Sequence, residues 1–162
     1  MKNPITTRTA VAVAAILALA GPVASAGAKT HKYTAKVTSA QLSTANGFPG
    51  QGGTASFAGT LNTNAFGAGA LVDRLTIVGN TQPNVIMFKG TEVALYPNGT
   101  QRSTFLGTVT IAGDGTQQVA IKGEFTGGTG RYRNATGRYQ FTGSSAAGST
   151  ILRGTSHGKV SY

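Results

Sequence analysis

No cysteine occurs in the chain, which excludes disulfide scaffolds, zinc–cysteine sites, iron–sulfur clusters and thiol nucleophiles together. Tryptophan is absent as well. Acidic residues number four and histidines two, so acid–base and metal chemistry have few parts to draw on. Charged residues make up 11% of the 162 positions, under half the usual quarter. Fourteen of them are Lys or Arg, which leaves a formal charge of +10. What is plentiful is Gly and Thr, 24 of each, with Gly near twice its average usage. At 40% apolar residues the chain is too hydrophobic for a disordered polyelectrolyte, and no G-X-Y period suggests collagen. The length suits one domain with a leader and leaves little room for a second.

Residues 1–26 read as a secretory signal peptide. Lys2 and Arg8 give a positive start, Ala10 to Gly21 form an apolar run of twelve, and Pro22 breaks it. Ala24-Ser25-Ala26 then supplies the small residues that signal peptidase accepts. The run falls short of the ~20 residues that span a bilayer, and no Cys follows it for a lipid anchor. Cleavage after Ala26 leaves residues 27–162, with 12 Lys and Arg against 4 acids, or +8. The expectation is an exported protein, extracellular or periplasmic. An exported chain of this size without cysteine is held by backbone pairing and one packed core.

Nothing after Ala26 has helical apolar spacing over ten positions. Alternation with period two is widespread instead. Val119, Ile121, Gly123 and Phe125 share one face, and Phe105, Gly107, Val109 and Ile111 do so one segment earlier. Near the end, Leu152, Gly154, Ser156, Gly158, Val160 and Tyr162 alternate with Ile151, Arg153, Thr155, His157, Lys159 and Ser161. Pro97-Asn98-Gly99 and Gly113-Asp114-Gly115 are hairpin turns. Strands are expected near 31–42, 54–61, 70–78, 85–96, 102–111, 117–126, 132–142 and 150–161. Eight strands in hairpin succession suit an eight-stranded antiparallel β-barrel, because closure removes exposed edges. A sandwich is the alternative. The Gly-rich stretch Ser43–Gly53 reads as a mobile loop at one mouth.

The segment from Gly123 to Gly137, Gly-Glu-Phe-Thr-Gly-Gly-Thr-Gly-Arg-Tyr-Arg-Asn-Ala-Thr-Gly, is the most distinctive. It resembles the G-x-F-x-G-G-T-G-x-[FY]-x-x-A-x-G signature shared by plant dirigent proteins and the allene oxide cyclase-like barrel superfamily. Phe105-Leu106-Gly107-Thr108 and the terminal Gly158-Lys159-Val160-Ser161-Tyr162 look like that group too. The resemblance spans residues 31–162 and implies an eight-stranded antiparallel barrel with an apolar central cavity, often assembled into dimers or trimers. It implies a small hydrophobic or aromatic ligand, or a reactive intermediate steered through cyclisation or coupling. Physically the segment is a turn motif: Gly127, Gly128 and Gly130 allow a sharp reversal, and Ala135 and Gly137 are small where strands pack closely. A phosphate cradle is excluded, since neither the Gly-Lys-Ser/Thr ending nor a following helix is present.

Asp73 alternates in phase with Leu71, Leu75 and Ile77, and Glu92 with Ile86, Phe88 and Tyr96. If these faces line the barrel, two carboxyls sit in an apolar cavity with raised pKa values and can serve as general acids. Tyr96 and Arg102 complete the candidate cavity set, and the alternative is that each acid is an ordinary carboxylate, either buried against an Arg or backbone donor or facing outward. The first strand reads Thr38-Ser39-Ala40-Gln41-Leu42 and no acid precedes Asp73, so the allene oxide cyclase reaction itself is not expected. His31 and His157 lie on the terminal strands without a nucleophile-elbow motif, and Asp114 belongs to its hairpin turn. No cofactor or metal site is expected.

The basic excess has a geometric reading. Lys32 and Lys36 share the polar face of the first strand, and Arg153, His157 and Lys159 that of the last. Barrel closure makes those strands neighbours, giving one cationic stripe, with Arg131, Arg133 and Arg138 as a second cluster. The stripe suits an anionic polymer or is a solvated basic face that confers solubility, and specific nucleic-acid recognition is not expected. An outer-membrane barrel is disfavoured, because the last strand offers no apolar lipid-facing side.

Overall fold

The computed structural model describes residues 28–162, so the leader expected at residues 1–26 lies outside the described residues. Eight strands close into a barrel in chain order: β1 (Thr30–Ala45), β2 (Thr54–Thr63), β3 (Gly67–Gln82), β4 (Val85–Tyr96), β5 (Gly99–Ile111), β6 (Gln117–Gly128), β7 (Thr136–Ser145) and β8 (Ile151–Ser161). Every neighbouring pair is antiparallel, including β1 with β8. The sandwich alternative is thereby set aside.

The register fixes the width of the barrel. Hydrogen-bonded partners followed from Gln41 through Phe57, Asp73, Glu92, Ser103, Phe125, Gly137 and Val160 return to β1 at His31, ten residues from the start. With the standard strand spacing and rise, that stagger tilts the strands by about 40° and sets the backbone wall at a radius of about 8 Å. Such an interior is filled by side chains or holds one small ligand.

The period-two pattern settles which residues fill it. Tyr33, Leu61, Leu71, Phe88, Phe105, Phe125, Tyr139, Phe141 and Val160 point inward and are buried. Every Lys and Arg among the described residues is exposed. The outer wall is mixed in character, since Val72, Val93, Leu95 and Leu106 are also exposed on it.

Inward glycines make room for the rings. Phe105 lies over Gly90 and Phe88 over Gly107, each directly across the β4–β5 ladder, and Tyr139 covers Gly123 on β6. An aromatic ring on a neighbouring strand covers the backbone that a glycine leaves bare, so Gly and aromatic residues fill one layer together.

At one end an aromatic plug closes the barrel. Phe66, from the β2–β3 turn, is held by its N–H donating to Thr63 Oγ1 at 2.7 Å. Its ring meets Tyr132 at 4.8 Å, Tyr162 at 5.2 Å and Tyr96 at 5.3 Å between centroids. Tyr132 comes from a 3₁₀ turn at Gly130–Tyr132. Residues 132–135, expected as the start of a strand, belong instead to this turn and its exit, and β7 begins at Thr136. The cause is the Gly-rich run: Gly130 has φ +56°, and an added Cβ at Gly128 or Gly130 would run into the backbone carbonyl of Thr100 or Asn98.

The other end is covered by the β1–β2 loop. β1 runs on to Ala45 past a bulge at Gln41/Ser43, so the loop is shorter than expected. It is also anchored: Gly52 N–H donates to Ile77 O at 3.0 Å, and Ile77 N–H to Gly53 O at 2.8 Å.

Candidate functional site

Between the covering loop and the aromatic layer lies an interior cavity of about 190 Å³. Leu75 and Ile77 from β3, Ile86 and Phe88 from β4, Val109 from β5, Val119 and Ile121 from β6, and Leu152 from β8 line it. Phe48 and Pro49 of the covering loop close it, and Ser39, Gln41, Gln117 and Ser145 supply a few polar groups. Among the described residues, Asp73 is the one acid in its wall.

Asp73 and Glu92 stand directly opposite each other in the β3–β4 ladder, and Ser103 faces Glu92 in the β4–β5 ladder. The row continues by hydrogen bonds. Ser103 Oγ is 3.0 Å from Tyr139 Oη and reaches Glu92 Oε1 at 3.5 Å, the limit of a hydrogen bond. Asp73 Oδ1 is buried with no hydrogen-bond partner. Burial pushes the Asp73 carboxyl up to about 8, and the neighbouring Glu92 adds to the shift. Glu92 rises to about 7, again through burial, with the Ser103 hydroxyl opposing. Two buried carboxyls that face each other do not both ionise readily, so they titrate as a pair. Tyr33 and Tyr139 are held well above their ordinary range by burial, and the Glu92 charge pushes them further.

The cavity candidates divide. Asp73 and Glu92 meet as their phase required. Tyr96 points inward, but into the aromatic plug rather than the cavity wall, and its Oη is buried without a partner. Arg102 does not belong to the set. Gln101 and Ser103 are both buried and inward, so the residue between them points to solvent, where Arg102 is exposed. Gln101 and Ser103 are the residues that sequence reasoning misses, although both share the parity of Phe105. Gln101 is fully buried, and neither its Nε2 nor its Oε1 has a partner.

The histidines are kept apart from these acids. His31 stacks on Tyr162 at 5.1 Å, and His157 is exposed on the outer wall. Asp114 caps its own turn, with Oδ1 accepting from Thr116 N–H at 2.9 Å, and that bond lowers its pKa. Among the described residues, no three His, Cys, Asp or Glu side chains gather as a metal site would need.

Gly127, Gly128, Gly130 and Gly137 are where the turn motif needs them, three with positive φ and Gly128 pressed against Thr100.

On the outer wall, Lys32 faces Lys159 across β1–β8, and Lys159 faces Arg138 across β7–β8. Lys36, Arg153 and His157 share this face. Arg138 is paired with Glu124 at 2.8 Å, an exposed contact of small energetic weight. Arg131 is taken up differently, its guanidinium lying 5.4 Å from the Tyr162 ring centre.

No protein-family model matches the chain, and no curated protein matches it. Among solved structures, it is similar to a nonspecific heme-binding cyclase that catalyses a [4 + 2] cycloaddition during neoabyssomicin biosynthesis. The identity is 20%, over 83% of this chain and 67% of that one, with a TM-score of 0.49.

Proposed function

We propose that this is an exported barrel that binds a small hydrophobic or aromatic molecule in its interior cavity. The observation that carries this reading is the cavity of about 190 Å³, walled by aliphatic and aromatic side chains and roofed by Phe48 and Pro49. A dry cavity of about 150 Å³ takes up benzene, so the volume suits a one-ring ligand and falls below the ~300 Å³ at which drug-sized sites begin. The barrel topology and the Gly123–Gly137 segment support placing the chain with the allene oxide cyclase-like and dirigent barrels. On that placement Asp73 and Glu92 are the residues through which a cyclisation or coupling would be steered. The binding reading is preferred because Arg102, the expected third member, faces away from them.

Calorimetric titration with 2-phenylethanol tests the binding. The expected result is saturable one-to-one binding that weakens at least tenfold in Ile121→Trp, which fills the space. Absence of saturable binding in the natural protein, both of 2-phenylethanol and of its amine counterpart 2-phenylethylamine, would overturn the reading.

A second reading concerns the outer wall, where the row of Lys32, Lys159 and Arg138 favours contact with an anionic polymer. Its test is salt-dependent retention on an acidic polysaccharide matrix. Retention lost on reversing Lys32 and Lys159 to Glu supports it, and retention unchanged by the reversal contradicts it.

A further inference from the structure

Near its middle the lumen holds two acids, while His31, on the inward parity of β1, lies at the plug end against Tyr162. Asp73 and Glu92 face each other across β3–β4, while every Lys and Arg among the described residues is exposed. The groups facing the pair are Tyr96 from its own strand β4, Tyr33 from β1, Ser103 from β5 and Tyr139 from β7, with Phe57 opposite Asp73 on β2 and Phe125 opposite Ser103 on β6. None of these carries a positive charge. The polar layer is also short of partners. Asp73 Oδ1 and both polar atoms of Gln101 are buried without hydrogen bonds, and Gln101 is fully enclosed one rung from Ser103. Aromatic rings share the cavity wall with Asp73: Phe57 stands opposite it on β2, and Phe88 and Phe105 meet edge to face at 6.1 Å.

Unpaired buried acceptors beside aromatic rings make the environment of an organic ammonium. The carboxylates supply charge and acceptors, and the ring faces attract the cation. Asp73 is the member of the pair that reaches the cavity wall, next to Leu75 and Phe57. The geometry points to a cavity that takes a hydrophobic amine, its ammonium against Asp73 with Glu92 behind it, and its ring among Leu75, Ile86 and Ile121. This rests on the cavity being a ligand site, and adds the class of ligand.

Without a ligand the pair keeps a proton, since two buried carboxylates that face each other repel. Entry of an ammonium replaces that proton with the ligand's own charge. The proton leaves the carboxyl for solvent, no covalent bond to carbon changes, and the charge balance in the lumen is kept. Affinity for the amine therefore rises with pH until the amine itself loses its proton. An alcohol of the same shape brings no charge and shows no such dependence.

The test compares 2-phenylethylamine with 2-phenylethanol by calorimetry on residues 27–162, between pH 6 and pH 8.5, in buffers of different ionisation enthalpy. The amine is expected to bind at least tenfold more tightly than the alcohol at pH 8, and to release close to one proton near pH 7. In Asp73→Asn the preference should fall below threefold, and in Glu92→Gln proton release should shrink. Both substitutions are isosteric and remove a buried acid, so the variants remain folded, which their thermal transitions will report. Equal binding of amine and alcohol, or an undiminished preference in Asp73→Asn, overturns the ammonium assignment and leaves the cavity reading intact. Binding of neither probe overturns both.

Discussion

Asp73 and Glu92 have ordinary pKa values in the unfolded chain and raised ones in the barrel, up to about 8 and about 7. Between about pH 4 and pH 8 the native state therefore holds protons that the unfolded state has lost. Stability must fall as pH rises through that interval, and level off above it. The penalty at pH 8 is on the order of 2 kcal/mol or more, since a tenfold change in proton affinity is worth about 1.4 kcal/mol. Thermal melts of the natural protein should show a decreasing midpoint from pH 5 to pH 8. Asp73→Asn should flatten that slope and melt higher at pH 8 by about 5 °C. A midpoint that rises over the same interval would contradict the buried acid pair. The pairing of these two acids was legible in the sequence, because each keeps step with aliphatic neighbours on its own strand. Arg102 carried the opposite signal, being out of step with Phe105, and parity alone would have substituted Gln101 and Ser103. What no pattern reveals is that Gln101 stays unpartnered, since that depends on which side chains meet across the lumen.

Strands were legible for the same reason, and their limits less so. β5, β6 and β8 alternate cleanly, and inward Gly107, Gly123 and Gly154 fit the pattern as companions of rings rather than as breaks. An added side chain at Gly123 would meet the Tyr139 ring, whereas Gly113 in its hairpin turn has open space around it. Gly123→Val is expected to cost about 1–3 kcal/mol through overpacking, and Gly113→Ala to change stability by less than about 0.5 kcal/mol. Denaturant titration of the two variants side by side checks this, and equal effects would mean that the ring does not need the glycine. The start of β7 is hard to place from sequence because Tyr132 reads as a strand residue, yet serves as a cap on the aromatic plug. Phe66, at the centre of that plug, lies in a turn where no periodicity marks it. Its burial follows from the turn folding back over the lumen, held by Thr63.

At the scale of the whole molecule, closure explains the division of chemistry. One wall separates a lumen of rings, aliphatic chains and two acids from an exterior that carries all the described Lys and Arg. Closure also brings the first and last strands together, so Lys32 and Lys159, far apart in sequence, face each other. That neighbourhood was legible once a barrel was assumed, whereas the size of the cavity was not. The cavity depends on how far Phe48 and Pro49 descend into the mouth and on the ten-residue stagger that widens the wall. Everything proposed for the interior of this barrel depends on that space being a binding site. Native mass spectrometry of the protein purified from its own source, followed by denaturing extraction, tests this. The expected result is a bound molecule of one ring's size, carrying an amine, that is absent from an Ile121→Trp variant prepared in the same way. A protein that emerges empty, and stays empty when 2-phenylethanol and 2-phenylethylamine are supplied, would contradict it.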